Sequence, residues 1–317
     1  MNKQQICIIG GSGFVGRHLC AHLLKQGWRI RVLTRSTEAA KDIRVLPGIE
    51  LRQADTHDPA ALAAQFQGQA AVINLVGILN ERRRGGFQAA HVELPRRIVA
   101  ACHTAGVRRL LHMSALKADL ADPPSEYLRS KGEGERLVLA AEDLDVTVFR
   151  PSVIFGPEDD FFNRFARLLA LAPGVFPLAC AEARFAPVYV DDVAEAFVRA
   201  LRIKETLGQG YELCGPKPYS LREIVVYVAH LRGLRRHIIG LGPRLSQLQA
   251  RLMEFLPGKP FTRDNYRSTL CDSLCKSPFP EIFGITPTAV EAVVPGYLGP
   301  REQNHSLSRL RQQARRD

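Results

Sequence analysis

The chain predicts an α/β protein built on a doubly wound parallel sheet, with a smaller lobe following it. Three observations carry that expectation. Short β-rich runs alternate with helical patterns through the first 150 residues, which is the order that a parallel sheet with crossover helices requires. The opening run Ile6-Cys7-Ile8-Ile9 is apolar and uncharged, as a strand covered on both faces must be. Gly10-Gly11-Ser12-Gly13-Phe14-Val15-Gly16 then turns straight into an amphipathic helix.

Strands are predicted over 6–9, 30–33, 49–52, 71–75, 109–113 and 146–149. The helices between them are clearest over 94–105 and 127–141. After Pro151 the pattern loosens. Turns at Gly156-Pro157, Pro173-Gly174, Pro187 and Gly215-Pro216 separate shorter helices over 193–202 and 221–231. The predicted organisation is a nucleotide-binding core over 1–150, a smaller lobe packed on it over 151–300 and a basic tail over 301–317.

The first turn gives the core its expected ligand. Glycines there allow a tight turn and bring bare backbone against a pyrophosphate. The helix behind them keeps Val15, Leu19, Leu23 and Leu24 at helical spacing, so its N-terminal amides point at the phosphates. The spacing Gly10, Gly13, Gly16 is a wider variant of the G-x-G-x-x-G fingerprint. A ligand-free glycine turn is the alternative, and placement at the first strand favours the dinucleotide.

The second strand addresses which dinucleotide. It runs into Thr34-Arg35-Ser36 with no carboxylate to take ribose hydroxyls. Arg35 stacks on adenine and forks onto a 2′-phosphate in this reading, with Ser36, Lys41 or Arg44 as helpers. NADP(H) is therefore expected ahead of NAD(H).

Composition sets the outer limits. The chain has 317 residues, 46% of them hydrophobic, enough for a full core. No apolar stretch approaches the ~20 residues that span a bilayer, and the first strand begins within a few residues of Met1, so a cytoplasmic protein without a signal peptide is expected. Seven cysteines, an odd number, argue for a reducing compartment and against a disulfide scaffold. Cys271 and Cys275 are read as small apolar residues, and no metal is expected.

The net charge of +11 gathers at Arg82-Arg83-Arg84, over 231–267 and in the tail. No aromatic interleaving accompanies it, so solvated surface is preferred to a nucleic-acid site. Arg82 to Arg84 follow the fourth strand and read as a mobile solvated loop, with closure over an anionic substrate as the alternative.

A second constellation lies downstream. Ser114 falls just past the fifth strand, where ligands of a doubly wound sheet sit. Tyr127 and Lys131, four apart, share one face of the next helix. A free tyrosine titrates at about 10, and a neighbouring ammonium is expected to lower that value toward general acid/base use. Ser114 then orients the substrate oxygen. The bland alternative for the pair is a surface tyrosine on a lysine stem.

These residues, with Asp55 after the third strand, Asn74-Leu75-Val76-Gly77 after the fourth and Arg150-Pro151-Ser152, resemble the extended and atypical short-chain dehydrogenase/reductase superfamily over nearly the whole chain. The resemblance implies a Rossmann core. It places Asp55 and Thr56 at the adenine, Leu75, Val76, Gly77, Met113 and Pro151 along the cofactor, and Lys131 also at the nicotinamide ribose. A narrower likeness runs through Tyr127 to Glu135, Leu256-Pro257-Gly258-Lys259-Pro260-Phe261-Thr262-Arg263-Asp264-Asn265 and Phe283-Gly284-Ile285. These are similar to the branch holding the NADPH-binding accessory subunit of respiratory complex I and its stand-alone bacterial relatives. That branch implies a peripheral setting at the inner membrane face, beside respiratory or quinone-biosynthesis proteins.

Two functional classes follow. One is an NADP(H)-dependent oxidoreductase or epimerase-like enzyme acting on a small carbonyl, hydroxyl or quinone-related substrate, with Tyr127 exchanging the proton. The other is a nucleotide-loaded structural, assembly or sensor protein. Separately, Leu245, Leu248, Leu252 and Phe255 share a helical face that excludes Arg244 and Arg251. An anionic membrane or a partner suits such a face, and a core-facing helix of the second lobe is the expectation.

Overall fold

The computed structural model describes residues 4–35, 40, 43, 47–81 and 84–299. Ser36, Lys41, Arg44, Arg82, Arg83 and residues 301–317 lie outside the described residues, and Arg84 is exposed.

The alternation of apolar runs and helices builds one seven-stranded parallel sheet. Its strands include β1 (Gln5–Ile9), β2 (Arg29–Thr34), β3 (Ile49–Gln53), β4 (Ala71–Asn74), β5 (Arg109–Met113) and β6 (Asp145–Pro151). A seventh, Gln209–Leu213, pairs with β6, and the order across the sheet is this strand, then β6, β5, β4, β1, β2, β3. Order reverses at β1 and β4, which places a crevice beyond their carboxyl ends. The helices α1 (Phe14–Lys25), α2 (Pro59–Phe66), α3 (Leu94–Ala105) and α4 (Glu126–Leu139) are the crossovers. Ile6, Ile8, Val72, Ile73, Leu110 and Leu111 have no exposed surface, as a sheet covered on both faces demands.

The strand Gln209–Leu213 escapes sequence reading because Gly210 and alternating polar residues hide it. Gly210 has a packing reason: a Cβ there would meet the Arg150 guanidinium at 2.8 Å. The helix Val190–Ala200 precedes this strand. Both belong to the first of two compact units, which also takes the chain through Pro151 and Phe279–Ile285. The chain thus returns twice to the first unit, the first time supplying the strand that pairs with β6.

The second unit comprises Ser152–Tyr189, Cys214–Pro278 and the described chain from Thr286. Its core gathers Phe155, Phe162, Leu169, Val225, Val228 and Val294. The helix Leu221–Leu231 lies where predicted, and Ser220 and Glu223 close a reciprocal capping box at its start.

Two expectations are overturned in this unit. Cys275 is bonded to Cys214, 61 residues away, so the reading of Cys275 as a small apolar residue fails. Local spacing singles out Cys271, which lies outside the disulfide, whereas tertiary folding brings Cys214 to a Cα separation of 6.0 Å. The helix Pro243–Met253 is the second correction. Its leucines do not face the core; Ser246 and Ala250 do. Ser246 Oγ donates to the Leu241 carbonyl and accepts from the Cys180 amide. Gln249 donates to the Pro177 carbonyl and accepts from the Ala179 amide. Small and polar anchors choose the inward face, and the leucines are left outside.

Candidate functional site

The turn after β1 is built around bare backbone. Gly10 has φ +83°, a left-handed conformation that side chains resist, and its carbonyl accepts the Gly13 amide at 3.0 Å. A Cβ on Gly16 would stand 2.5 Å from the Gly10 oxygen and from Gly11 backbone atoms. A Cβ on Gly10 would stand 3.2 Å from backbone atoms of Leu75 and Val76, so the turns after β1 and β4 touch. Gly11 is buried, and its Cβ would meet the Val32 methyls at 2.9 Å. Helix α1 starts at Phe14 and Val15 with Gly13 as its N-cap, and among the described residues no side chain caps its first amides. Ser12 contributes its carbonyl to Arg17. A cradle without side chains beneath uncapped helix amides fits a diphosphate.

Arg35 stands exposed just after β2. Asp55 follows β3, also exposed, and its Oδ1 accepts the His57 amide at 2.8 Å, closing the turn that contains Thr56. Both lie at the strand ends on the same side of the sheet order as β1. Pro151 ends β6, two strands from β4, and its carbonyl accepts the Leu116 amide.

Beyond β4 the loop is pinned by Asn74. Its Oδ1 accepts the Val76 amide at 3.1 Å and its Nδ2 lies 3.1 Å from His112 Nδ1, while the Leu75 amide reaches Ile9. With Oδ1 accepting, the amide donates to Nδ1, so His112 carries its hydrogen on Nε2, which is buried and without a hydrogen-bond partner among the described residues. Burial, reinforced by the Lys131 charge, holds His112 neutral, down to about 3.

Lys131 joins the ends of β4 and β5. Its ammonium donates to the Met113 carbonyl at 3.0 Å and, more weakly, to that of Val76 at 3.4 Å, with only 4% of the residue exposed. A Cβ on Gly77 would lie 3.1 Å from Lys131 Nζ, so the glycine makes room for the cation. Burial pushes this amine down to about 8, opposed by Glu135. Ser114 is 3% exposed; its amide donates to Phe149, and its Oγ has no hydrogen-bond partner among the described residues.

Tyr127 sits in the first turn of α4, whose N-cap Ser125 accepts the Leu128 amide. The expectation that Lys131 lowers its phenol is reversed: desolvation pushes Tyr127 up to about 12. The ammonium is engaged by two main-chain carbonyls, and low polarity around the ring disfavours the phenolate.

His91 belongs to this site and sequence reading missed it. It lies in a π-helical turn, Ala89–Glu93, just before α3, and a lone histidine in a helical run carries no signal. Ser130 Oγ donates to the Tyr127 carbonyl, so His91 Nδ1–H donates to Ser130 Oγ at 2.9 Å. Nε2 then accepts the Ile78 amide at 3.1 Å, and one tautomer satisfies both bonds. Burial foremost, with the charge of Lys131, holds this imidazole neutral, down to about 2. Its ring stacks on Phe87 and meets the Tyr127 ring edge-on, with centroids 5.6 Å apart in each case. Helix α4 packs close against this turn: a Cβ on Gly134 would collide with the His91 carbonyl oxygen, and one on Gly132 with that of Ala118. Behind it, Arg150 Nε donates to buried Glu135 at 2.7 Å.

The site therefore unites the turn Gly10 to Gly16 with Leu75 and Val76, and joins Lys131 to Val76, Gly77 and Met113. Comparisons with known proteins bear on the family and the fold. The family model described as "NAD dependent epimerase/dehydratase family" matches residues 6–214. The chain is 32% identical over 226 residues to mitochondrial NADH dehydrogenase (ubiquinone) 1 alpha subcomplex subunit 9 of Mus musculus, covering 70% of this chain but 59% of that protein. It is 33% identical over 239 residues to a ceramide reductase of Caulobacter vibrioides, covering 74% and 73%. Among solved structures, the dTDP-glucose 4,6-dehydratase DesIV of Streptomyces venezuelae, a double mutant with NAD bound, superposes with TM-score 0.73 at 18% identity, over 92% of this chain and 95% of that one. Pal of Bacillus thuringiensis gives 0.73 at 19%, over 96% and 100%. At those identities the likeness is one of fold. With the glycine cradle at its first strand and the model spanning most of the sheet, the chain belongs to the NAD dependent epimerase/dehydratase family.

Proposed function

We propose that this protein is an NADP(H)-dependent oxidoreductase that reduces a carbonyl group. The observation that carries it is the buried Ser114 Oγ, unpartnered among the described residues, just past β5. The residues that would hold the cofactor are Gly10 to Gly16 at the diphosphate, Arg35 at a 2′-phosphate, Asp55 and Thr56 at the adenine, and Leu75 to Gly77, Met113, Tyr127, Lys131 and Pro151 along its length. When bound, NADPH supplies a hydride.

The chain's own residues divide the remaining work. Ser114 donates a hydrogen bond that orients the substrate oxygen. Tyr127, held protonated by burial, is an acid at neutral pH and delivers a proton to the oxygen that gains charge. Lys131, whose ammonium donates to the Met113 and Val76 carbonyls, holds the loop after β4 against the end of β5 along the cofactor's path, and Tyr127 regains its proton from solvent. His91 and Phe87 fix the phenol's ring. A protonated phenol suits reduction better than oxidation, and the relative named a ceramide reductase supports the same direction.

A second reading, a nucleotide-loaded assembly or structural protein, is favoured by the relatives named as respiratory-complex subunits. One experiment separates the two. Purified protein is examined for nucleotide by absorbance and mass, titrated with NADPH and NADH, and assayed with carbonyl and quinone compounds beside Tyr127→Phe. Turnover that falls about 10²- to 10⁴-fold in the variant while NADPH binding persists supports the enzyme. Tight NADPH that never oxidises in either protein supports the structural reading.

A further inference from the structure

We propose that the outward face of the helix Pro243–Met253 and the turn after it is a docking surface for an anionic lipid bilayer. Leu248 is 51% exposed, Leu252 60% and Phe255 83%, and Leu245 is exposed as well. Exposed single leucines need no explanation, but four apolar residues on one short face do. At about 100° per residue, Ser246, Gln249, Ala250 and Met253 turn inward while Leu245, Leu248, Leu252 and Phe255 fall in an opposite arc. Arg244 and Arg251, both exposed, lie along one border of that arc.

An apolar stripe bordered by cations is the arrangement that lies flat in a headgroup layer, with aliphatic chains below the phosphates and guanidiniums beside them. Charge supports the same occupant. Residues 243–271 hold five cations against two carboxylates, and one carboxylate, Glu254, is engaged by Arg263 at 2.9 Å. The chain as a whole carries +11. Protein interfaces draw their energy from tryptophan, tyrosine and arginine, with leucine under-represented, whereas this face is leucine-rich. A second copy would set this positive surface against an identical one. Because the leucines make none of the anchoring hydrogen bonds, they can be removed with little effect on folding.

The test is co-sedimentation of the full chain with vesicles of 3:1 phosphatidylcholine:phosphatidylglycerol and of phosphatidylcholine alone. Wild type should partition at least tenfold more onto the anionic vesicles. Leu248→Ser/Leu252→Ser, which changes no charge, should lose at least tenfold on them, and Arg244→Gln/Arg251→Gln should bring the two vesicle types close together. Residues 301–317 remain in every protein, so binding through general basic charge leaves the serine variant at wild-type levels and overturns the proposal. Equal partitioning of wild type onto both vesicles overturns it too. So does a dimer that the serine variant converts to monomer without vesicle binding by wild type. If the double variant fails to fold, Phe255→Ser at the most exposed position takes its place, with the same outcomes.

Discussion

Gly16→Ala probes the glycine cradle most directly. The added Cβ would lie 2.5 Å from the Gly10 oxygen and the Gly11 backbone, about 1 Å short of the roughly 3.5 Å at which such atoms pack. Backbone cannot swing aside as a side chain does, so the start of α1 must move away from the turn after β1. Overpacking of this kind costs about 1–3 kcal/mol, which for a chain of this size lowers Tm by about 2–6 °C. A displaced α1 also takes its first amides away from the diphosphate. Loss of one charge-assisted hydrogen bond, about 1.5–3 kcal/mol, weakens NADPH binding about ten- to a hundredfold. Gly242→Ala, outside the cradle, is the matched control: its φ is −64°, open to any residue, and a Cβ there would meet nothing within 4 Å. Thermal melts and calorimetric titration with NADPH read both effects. Wild-type melting and affinity in Gly16→Ala, or equal losses in the two variants, would refute the close-approach reasoning.

Arg35→Ala should weaken NADPH binding about ten- to a hundredfold and leave NADH unchanged, measured by parallel titrations; equal losses for both cofactors would remove the 2′-phosphate role. Lys131 titrates at about 8 in the folded chain against 10.5 unfolded, so the folded state binds fewer protons between those values and stability rises with pH across that window. Lys131→Met should lose that rise, by up to about 1.4 kcal/mol per pH unit, in urea unfolding at pH 7 to 10; parallel curves for the two proteins would refute it. Cys275→Ser opens a 61-residue loop and should cost about 2–4 kcal/mol in non-reducing chemical denaturation, whereas Cys271→Ser should leave the midpoint in place. Coincident curves for wild type and Cys275→Ser would show that the bridge contributes nothing.

The site resolves into a part that sequence spacing exposes and a part that it hides. Gly10, Gly13 and Gly16 stand three apart in one turn, and Tyr127 and Lys131 share a helix face, so local geometry alone brings each group together. His91 is different. It meets Tyr127, Ser130 and Ile78 through a π-helical turn whose partners lie 13 to 39 residues away, and nothing periodic marks it. The direction of the Tyr127 shift is hidden for the same reason. A cation four residues along a helix suggests a lowered phenol, but desolvation by the surrounding fold is larger, and main-chain carbonyls from two strand ends take the ammonium.

The parallel sheet, its first crossover helix and the tight glycine turn between them were legible from residue order alone, because strand and helix periods and a glycine turn are local properties of consecutive residues. The edge strand Gln209–Leu213, the Cys214–Cys275 bond and the outward leucines of the helix Pro243–Met253 were decided by tertiary structure. Each depends on which distant surface arrives to pair, bond or pack. A helical stripe of leucine says only that one face is apolar; Ser246, Gln249 and Ala250, meeting backbone groups near residues 177–180 and 241, decided which face turned inward.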